Sequence, residues 1–297
     1  MMKLTFLGTS DAIPTAKRNH TSILLTYDGE NILVDCGEGT QRQFRKAKLN
    51  PNKINRILLS HWHGDHVLGL SGMLQSMSLS GYNKTLHIYG PKGTKKFMKE
   101  LMKTFVYQGK HKIEVKEVTG KFFETKDFYL EAKPMQHGPP CNAYSFVKKG
   151  ILRIDKKKLK KAKLPHGPLL SRLKHGKNIK YKGKTYLAKN LTYKDNETKI
   201  SFVLDTKINK NITPFVKDST ILVSESTYSD ELKDMASKHK HMTAKQVSEI
   251  AKKAKVEKLI LTHLSQRYEK NPKKILDEAK KYFKNSFLAQ DLDVFTV

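Results

Sequence analysis

The chain has 297 residues, 38% of them hydrophobic, and a formal net charge of +29. Two cysteines exclude a disulfide framework, and no apolar run approaches the roughly 20 residues that a membrane span needs, so the expectation is a cytoplasmic globular protein with a substantial core. The charge fits either a polyanionic partner or compositional drift, because only 7 of the 57 basic residues are arginine; placement therefore matters more than the total.

Residues 3–8 read as a strand, too short and too soon followed by charge for a signal peptide. Strands are predicted over 22–27, 31–35 and 55–59, a helix over 67–78, a strand over 86–89 and a helix over 93–104. Further strands follow at 112–118, 128–133 and 143–147. The stretch from about 150 to 190 is lysine-rich, contains Pro165, Gly167, Pro168 and Gly176, and has few periodic apolar residues. It reads as a protruding arm or a long loop, and one of that length is usually functional or disordered. Beyond it lie predicted strands at 199–204, 220–224 and 258–262 and helices at 243–254 and 272–283. With no break in composition, residues 1–297 read as one α/β domain carrying an inserted arm, and two such halves suit a four-layer αββα sandwich.

Ser60-His61-Trp62-His63-Gly64-Asp65-His66 sets three imidazoles and a carboxylate on a loop between a predicted strand and helix. Neutral imidazole suits zinc and its neighbours, and one tetrahedral ion does not need four ligands from so short a loop. The order suggests two ions, with His61 and His63 on one and Asp65 and His66 on the other. A solvated histidine loop is the bland alternative; a single structural zinc would normally recruit thiolates, and the nearest cysteine in sequence is Cys36. Three later strand ends offer further candidates: His137, Asp205 and His263. An acid closing the apolar run Ile200-Ser201-Phe202-Val203-Leu204 is costly unless it is paired or bound to a cation.

With Asp35-Cys36-Gly37-Glu38-Gly39-Thr40 upstream, the histidine motif resembles the metallo-β-lactamase superfamily and, within it, the tRNase Z (ribonuclease Z) family. The similarity runs from Leu4-Thr5-Phe6-Leu7-Gly8-Thr9 to His263-Leu264-Ser265-Gln266-Arg267-Tyr268. It implies the metallo-β-lactamase αββα fold and two Zn2+ per subunit, with Mn2+ or Fe2+ open. By the same resemblance His137 completes the site of His61 and His63, His263 completes that of Asp65 and His66, and Asp205 bridges both. Asp35 matches a position that accepts a hydrogen bond from a ligand histidine and orients it, though a turn residue is the other reading.

The resemblance also implies chemistry and substrate. Asp65 binds an ion and takes the proton of the attacking water, while Glu225 and His241 match a proton relay, with Ser226 and Met242 departing from the usual alanine and serine. The expected reaction is cleavage of precursor tRNA after the discriminator nucleotide, leaving a tRNA 3′-hydroxyl and a 5′-phosphorylated trailer. Arg18 and Asn19 align with a loop that contacts the tRNA 3′ end, although Ala16 takes its lysine position. Gly167 and Pro168 match the Gly-Pro motif of an arm that clamps tRNA, with Ser171 replacing a glycine and Lys174 among the basic residues nearby. Arg267 is set to meet a phosphate or to pair with a carboxylate. A homodimer in which one arm serves the other subunit is implied as well. The rival expectations are a superfamily phosphodiesterase or arylsulfatase acting on a small ester, for which a basic arm has no use, and a silent RNA-binding protein.

Overall fold

The computed structural model describes residues 1–165 and 167–297; His166, next to the Gly-Pro pair, lies outside the described residues. In the first half the strands are β1 (Met2–Gly8), β2 (Ser22–Tyr27), β3 (Glu30–Val34), β4 (Arg56–Leu58), β5 (Leu86–Gly90) and β6 (Ile113–Glu117). The second half begins with β7 (Gly120–Glu124), β8 (Phe128–Pro134) and β9 (Asn142–Lys148). The inserted segment holds β10 (Leu152–Ile154), β11 (Ile179–Tyr181), β12 (Lys184–Tyr186) and β13 (Thr192–Lys194). The chain finishes with β14 (Thr198–Val203), β15 (Ile221–Glu225), β16 (Lys258–Thr262), β17 (Ser286–Leu288) and β18 (Val294–Thr296).

Two seven-stranded mixed sheets form, ordered β18-β1-β2-β3-β4-β5-β6 and β17-β16-β15-β14-β9-β8-β7. Strands apolar at every position bury both faces, and period-2 alternation divides them between two cores. Ile23, Leu25, Ile32 and Val34 meet Leu130, Phe146, Phe202, Val223 and Ile260 of the facing sheet. Leu24 and Leu33 point outward, onto Leu70, Met73, Leu74 and Met77 of helix Gly69–Leu79. On the far side Val203, Leu222, Leu259 and Leu261 pack against helices Ala244–Lys253 and Lys273–Tyr282. The result is the expected αββα sandwich. Thr243 and Gln246 form a capping box that starts helix Ala244–Lys253 at the predicted place.

The inserted segment is folded. β10 and β13 pair at its base, β11 and β12 make a hairpin, and Leu159, Leu164, Leu170, Leu173, Ile179 and Leu191 build a small core of their own. Those residues come from several elements of six residues or fewer, too short for a periodic pattern, which is why the stretch reads as a loop in sequence.

Candidate metal centre

The parallel strands β3, β4, β14, β15 and β16 deliver their C-terminal ends to one edge between the sheets, and every strand-end candidate leaves from there or from the β8–β9 turn. Asp35 follows β3, Ser60–His63 follow β4, Asp205 follows β14, and His263 follows β16. Asp65 and His66 lie on a short helix, Gly64–Val67, rather than on the expected loop. That turn swings them about 100° per residue away from His63, so one hexapeptide faces two points. Gly69 is required just beyond: a Cβ there would stand 2.0 Å from the Gly37 carbonyl oxygen. Cys36 N–H to His66 O (2.8 Å) and Gly69 N–H to Cys36 O (2.9 Å) lock this turn to the end of β3.

The two expected ligand sets form two clusters: His61, His63, His137 and Asp205, then Asp65, His66, Asp205 and His263. Asp205 belongs to both. Its Oδ2 is 3.6 Å from His61 Nε2 and 3.7 Å from His137 Nε2. Its Oδ1 is 3.5 Å from His66 Nε2 and 3.1 Å from His263 Nε2. Asp65 Oδ2 stands 3.1 Å and 3.4 Å from those same two nitrogens.

The hydrogen bonds behind the rings fix their tautomers. His66 Nδ1–H donates to Asp35 Oδ2 (2.6 Å), and a carboxylate there can only accept. Ser60 Oγ donates to the same oxygen (2.6 Å) and so accepts from His61 Nδ1–H at 3.0 Å. Thr227 Oγ1 donates to Glu225 Oε2 (2.7 Å) and accepts from His263 Nδ1–H (2.9 Å). His137 Nδ1–H donates to the Lys240 carbonyl at 3.1 Å. Four Nε2 atoms are thereby left as bare acceptors converging on carboxylate oxygens. His66 Nε2 and His263 Nε2 stand only 3.3 Å apart, and buried Asp205 Oδ1 has no hydrogen-bond partner among the described residues. Acceptor facing acceptor in a buried site is repulsive, and divalent cations between them resolve it, so the residues fit a metal pair. Burial holds His61, His63 and His137 below the usual imidazole range, in the neutral form that ligates metal. On His66 and His263 burial acts in the same direction and is the largest single influence, but the neighbouring carboxylates together, Asp205 first and then Asp65, outweigh it and raise both, so a cation bound at their Nε2 atoms would displace a proton.

Asp35 and His263 both adopt positive φ, +57° each, at strand ends where the chain turns sharply to present a side chain. Beside the clusters, fully buried Glu225 accepts from Thr206 N–H (2.7 Å) with Oε1 and from His241 Nδ1–H (2.9 Å) with Oε2. The His241 ring lies 5.2 Å from His137 and 5.5 Å from His263, centroid to centroid. Ser60 and Thr227 are the orienting groups that sequence reasoning left without a role. Their only signal is a hydroxyl next to, or two residues from, a proposed functional side chain.

Not every expected substrate contact comes to this edge. Arg18 is corrected: its guanidinium is turned inward, only 7% exposed, with Nη1 donating to Thr9 Oγ1 and the Ala289 carbonyl at 2.7 Å each. It anchors its loop and does not offer itself to phosphate. Asn19 is half-buried, with Nδ2 on the Glu38 carbonyl at 2.7 Å. Arg267 is exposed over the Tyr228 ring (5.6 Å) and makes no carboxylate ion pair among the described residues. Gly167, Pro168 and Lys174 are exposed on the arm, which roots where β9 ends and β14 begins. Asp205 is seven residues further on, about 20 Å along the strand direction.

A family model described as "Anti-Pycsar protein Apyc1" matches residues 2–286. Ribonuclease Z of Archaeoglobus fulgidus is 35% identical over 98% of this chain and 96% of its own, and that of Bacillus cereus is 36% identical over 100% and 99%. The crystal structure of human tRNase Z, short form, superposes with a TM-score of 0.73 at 25% identity, covering 99% of both chains.

Proposed function

Because this chain belongs to the ribonuclease Z family, and also to the family described as Anti-Pycsar protein Apyc1, we propose that it is a metal-dependent endoribonuclease that matures the 3′ end of tRNA. It cuts precursor tRNA after the discriminator nucleotide, leaving a tRNA 3′-hydroxyl and a 5′-phosphorylated trailer. One observation carries the reading: Asp205 reaches with its two oxygens into two separate sets of bare imidazole nitrogens. His61, His63 and His137 with Asp205 would hold one cation, and Asp65, His66 and His263 with Asp205 the other, Zn2+ being favoured and Mn2+ or Fe2+ compatible. Such a pair supplies Lewis-acid activation of water and stabilises charge on the phosphoryl oxygens.

The protein's own groups do the rest. Asp65 accepts the proton of the attacking water, and Asp35 keeps His66 in the tautomer that ligates. Glu225 holds His241 as an imidazolium: burial disfavours the charge, but the Glu225 carboxylate prevails and pushes the pKa up to about 9. A protonated His241 beside His137 and His263 can give its proton to the leaving 3′-oxygen. Asn19 and Arg267 meet the tRNA end, while Gly167, Pro168 and Lys174 on the basic arm engage its body through shape and phosphates. By the family resemblance, the arm of one subunit of a homodimer serves the partner's site. Mixing arm-less subunits with Asp65→Ala subunits should then restore cleavage that neither has alone.

The test is to incubate a precursor tRNA with the protein, with and without chelator, and to map the cut. A single cut after the discriminator base, abolished by chelation, is expected. Cleavage elsewhere, or cleavage indifferent to chelator, would refute the proposal.

A further inference from the structure

Trp62, the chain's single tryptophan, sits between His61 and His63, yet the metal sets make no use of it. Its Nε1–H donates to Thr94 Oγ1 (3.0 Å), which locks the indole in place, and its ring lies 5.2 Å from that of Phe97 at 31°. Phe97 is 42% exposed on helix Thr94–Leu101. Exposed Lys92, Lys95 and Lys96 lie in the turn before the helix and on its first turn, with exposed Glu100 one turn beyond Phe97, while Glu117 Oε1 accepts from Gly93 N–H (3.0 Å) and Lys95 N–H (3.1 Å) and fixes the helix start. Gly93 lies directly under the ring, where a Cβ would be 3.3 Å from Phe97 Cε2. An exposed aromatic ring held rigid from beneath, on a helix start that carries exposed lysines, has the composition that binds single-stranded nucleic acid, by stacking and by charge.

We propose that Phe97, backed by Trp62, is a stacking platform for an unpaired base of the RNA trailer, with Lys92, Lys95 and Lys96 on the adjoining phosphates. The proposal rests on the endonuclease reading above. Bases within a duplex have no free face to offer, so the occupant next to the cut is the single-stranded segment that leaves. The lysines supply the matching charge. Trailer-containing substrates would therefore be gripped on both sides of the scissile bond, by the arm through the folded tRNA and by this platform through the tail.

Because Trp62 is the only indole, its emission reports on this spot directly. In metal-free protein, where no cleavage intervenes, an oligouridylate of eight nucleotides should quench Trp62 saturably, and rising salt should weaken the binding. Phe97→Ala should weaken it at least about fivefold and Phe97→Tyr should restore it. With metal present, Phe97→Ala should raise KM for a precursor with a long unpaired trailer, kcat being held, and the penalty should shrink as the trailer is shortened to one nucleotide. Lys95→Ala with Lys96→Ala, which leaves the ring untouched, should lower the salt dependence of oligouridylate binding. Absence of quenching, unchanged affinity in Phe97→Ala, or a KM penalty independent of trailer length each overturns the platform. Should the wild type bind the oligonucleotide but leave precursor tRNA uncut, it is the endonuclease reading that fails instead.

Discussion

Asp35→Asn isolates the geometry of the metal centre from its composition. Asp35 is fully buried and accepts from Ser60 N–H, Ser60 Oγ–H and His66 Nδ1–H, each at 2.6 Å. Its φ of +57° is one that asparagine tolerates, so the backbone is not disturbed. The new Nδ2 brings hydrogens against Ser60 Oγ and His66 Nδ1. The serine hydroxyl can rotate, but the imidazole can relieve the conflict only by moving its proton to Nε2. That removes the lone pair aimed at Asp65 and Asp205 without touching any residue of the two sets. Loss of such an orienting partner typically weakens metal affinity about 10- to 100-fold, or about 1.4–2.8 kcal/mol. The mispaired buried donors should also destabilise the metal-free protein by about 1–3 kcal/mol. Competition with a chromogenic chelator gives the first quantity and denaturant unfolding of metal-free protein the second. A variant that keeps wild-type affinity within twofold would show that Asp35 does not set the His66 tautomer and that His66 Nε2 is not held bare by this hydrogen bond.

Other consequences can be checked separately. His241→Ala should lower kcat by about 10²–10⁴ while bound metal stays at the wild-type level, and parallel loss of metal would make His241 a structural support of His137 instead. Replacing residues 152–194 by a short linker should abolish precursor-tRNA cleavage yet preserve hydrolysis of bis(p-nitrophenyl) phosphate, because the arm carries its own core; equal loss of both would tie the arm to the fold of the main body. Burial pushes the thiol of Cys36 up to about 12, and burial together with the Asp205 charge does the same for Cys141. Neither should react with a disulfide reagent at pH 8 until the protein unfolds, when two thiols appear; rapid labelling of native protein would show that this part of the interior opens readily.

The metal-centre candidates were legible because ligation demands particular residue types at particular places. His137, Asp205 and His263 stand at strand ends, where an apolar run gives way to a polar side chain that burial would otherwise penalise. The strands themselves were legible through runs apolar at every position, the mark of a sheet covered on both faces. β7, β17 and β18 were not, being short or largely exposed, and helix Thr40–Lys46 was not, because its few apolar positions make no repeating face.

Arg18 shows the limit of reading a motif without its surroundings. In sequence it is a guanidinium in a proline-bounded loop; in three dimensions it is satisfied by Ala289, 271 residues away. The sequence by itself determined which side chains can bind metal or move protons, since those are properties of residue type and of local strand and turn patterns. The tertiary structure alone decided that Ser60 and Thr227 orient their rings and that the lysine-rich insertion folds, and it supplied the distances of an Asp205 bridge that the sequence offered only through resemblance. Ser60 is set by Asp35, 25 residues away, and Thr227 meets His263 across 36 residues, contacts that no local pattern encodes, while the insertion's core is shared among elements too short to show a period.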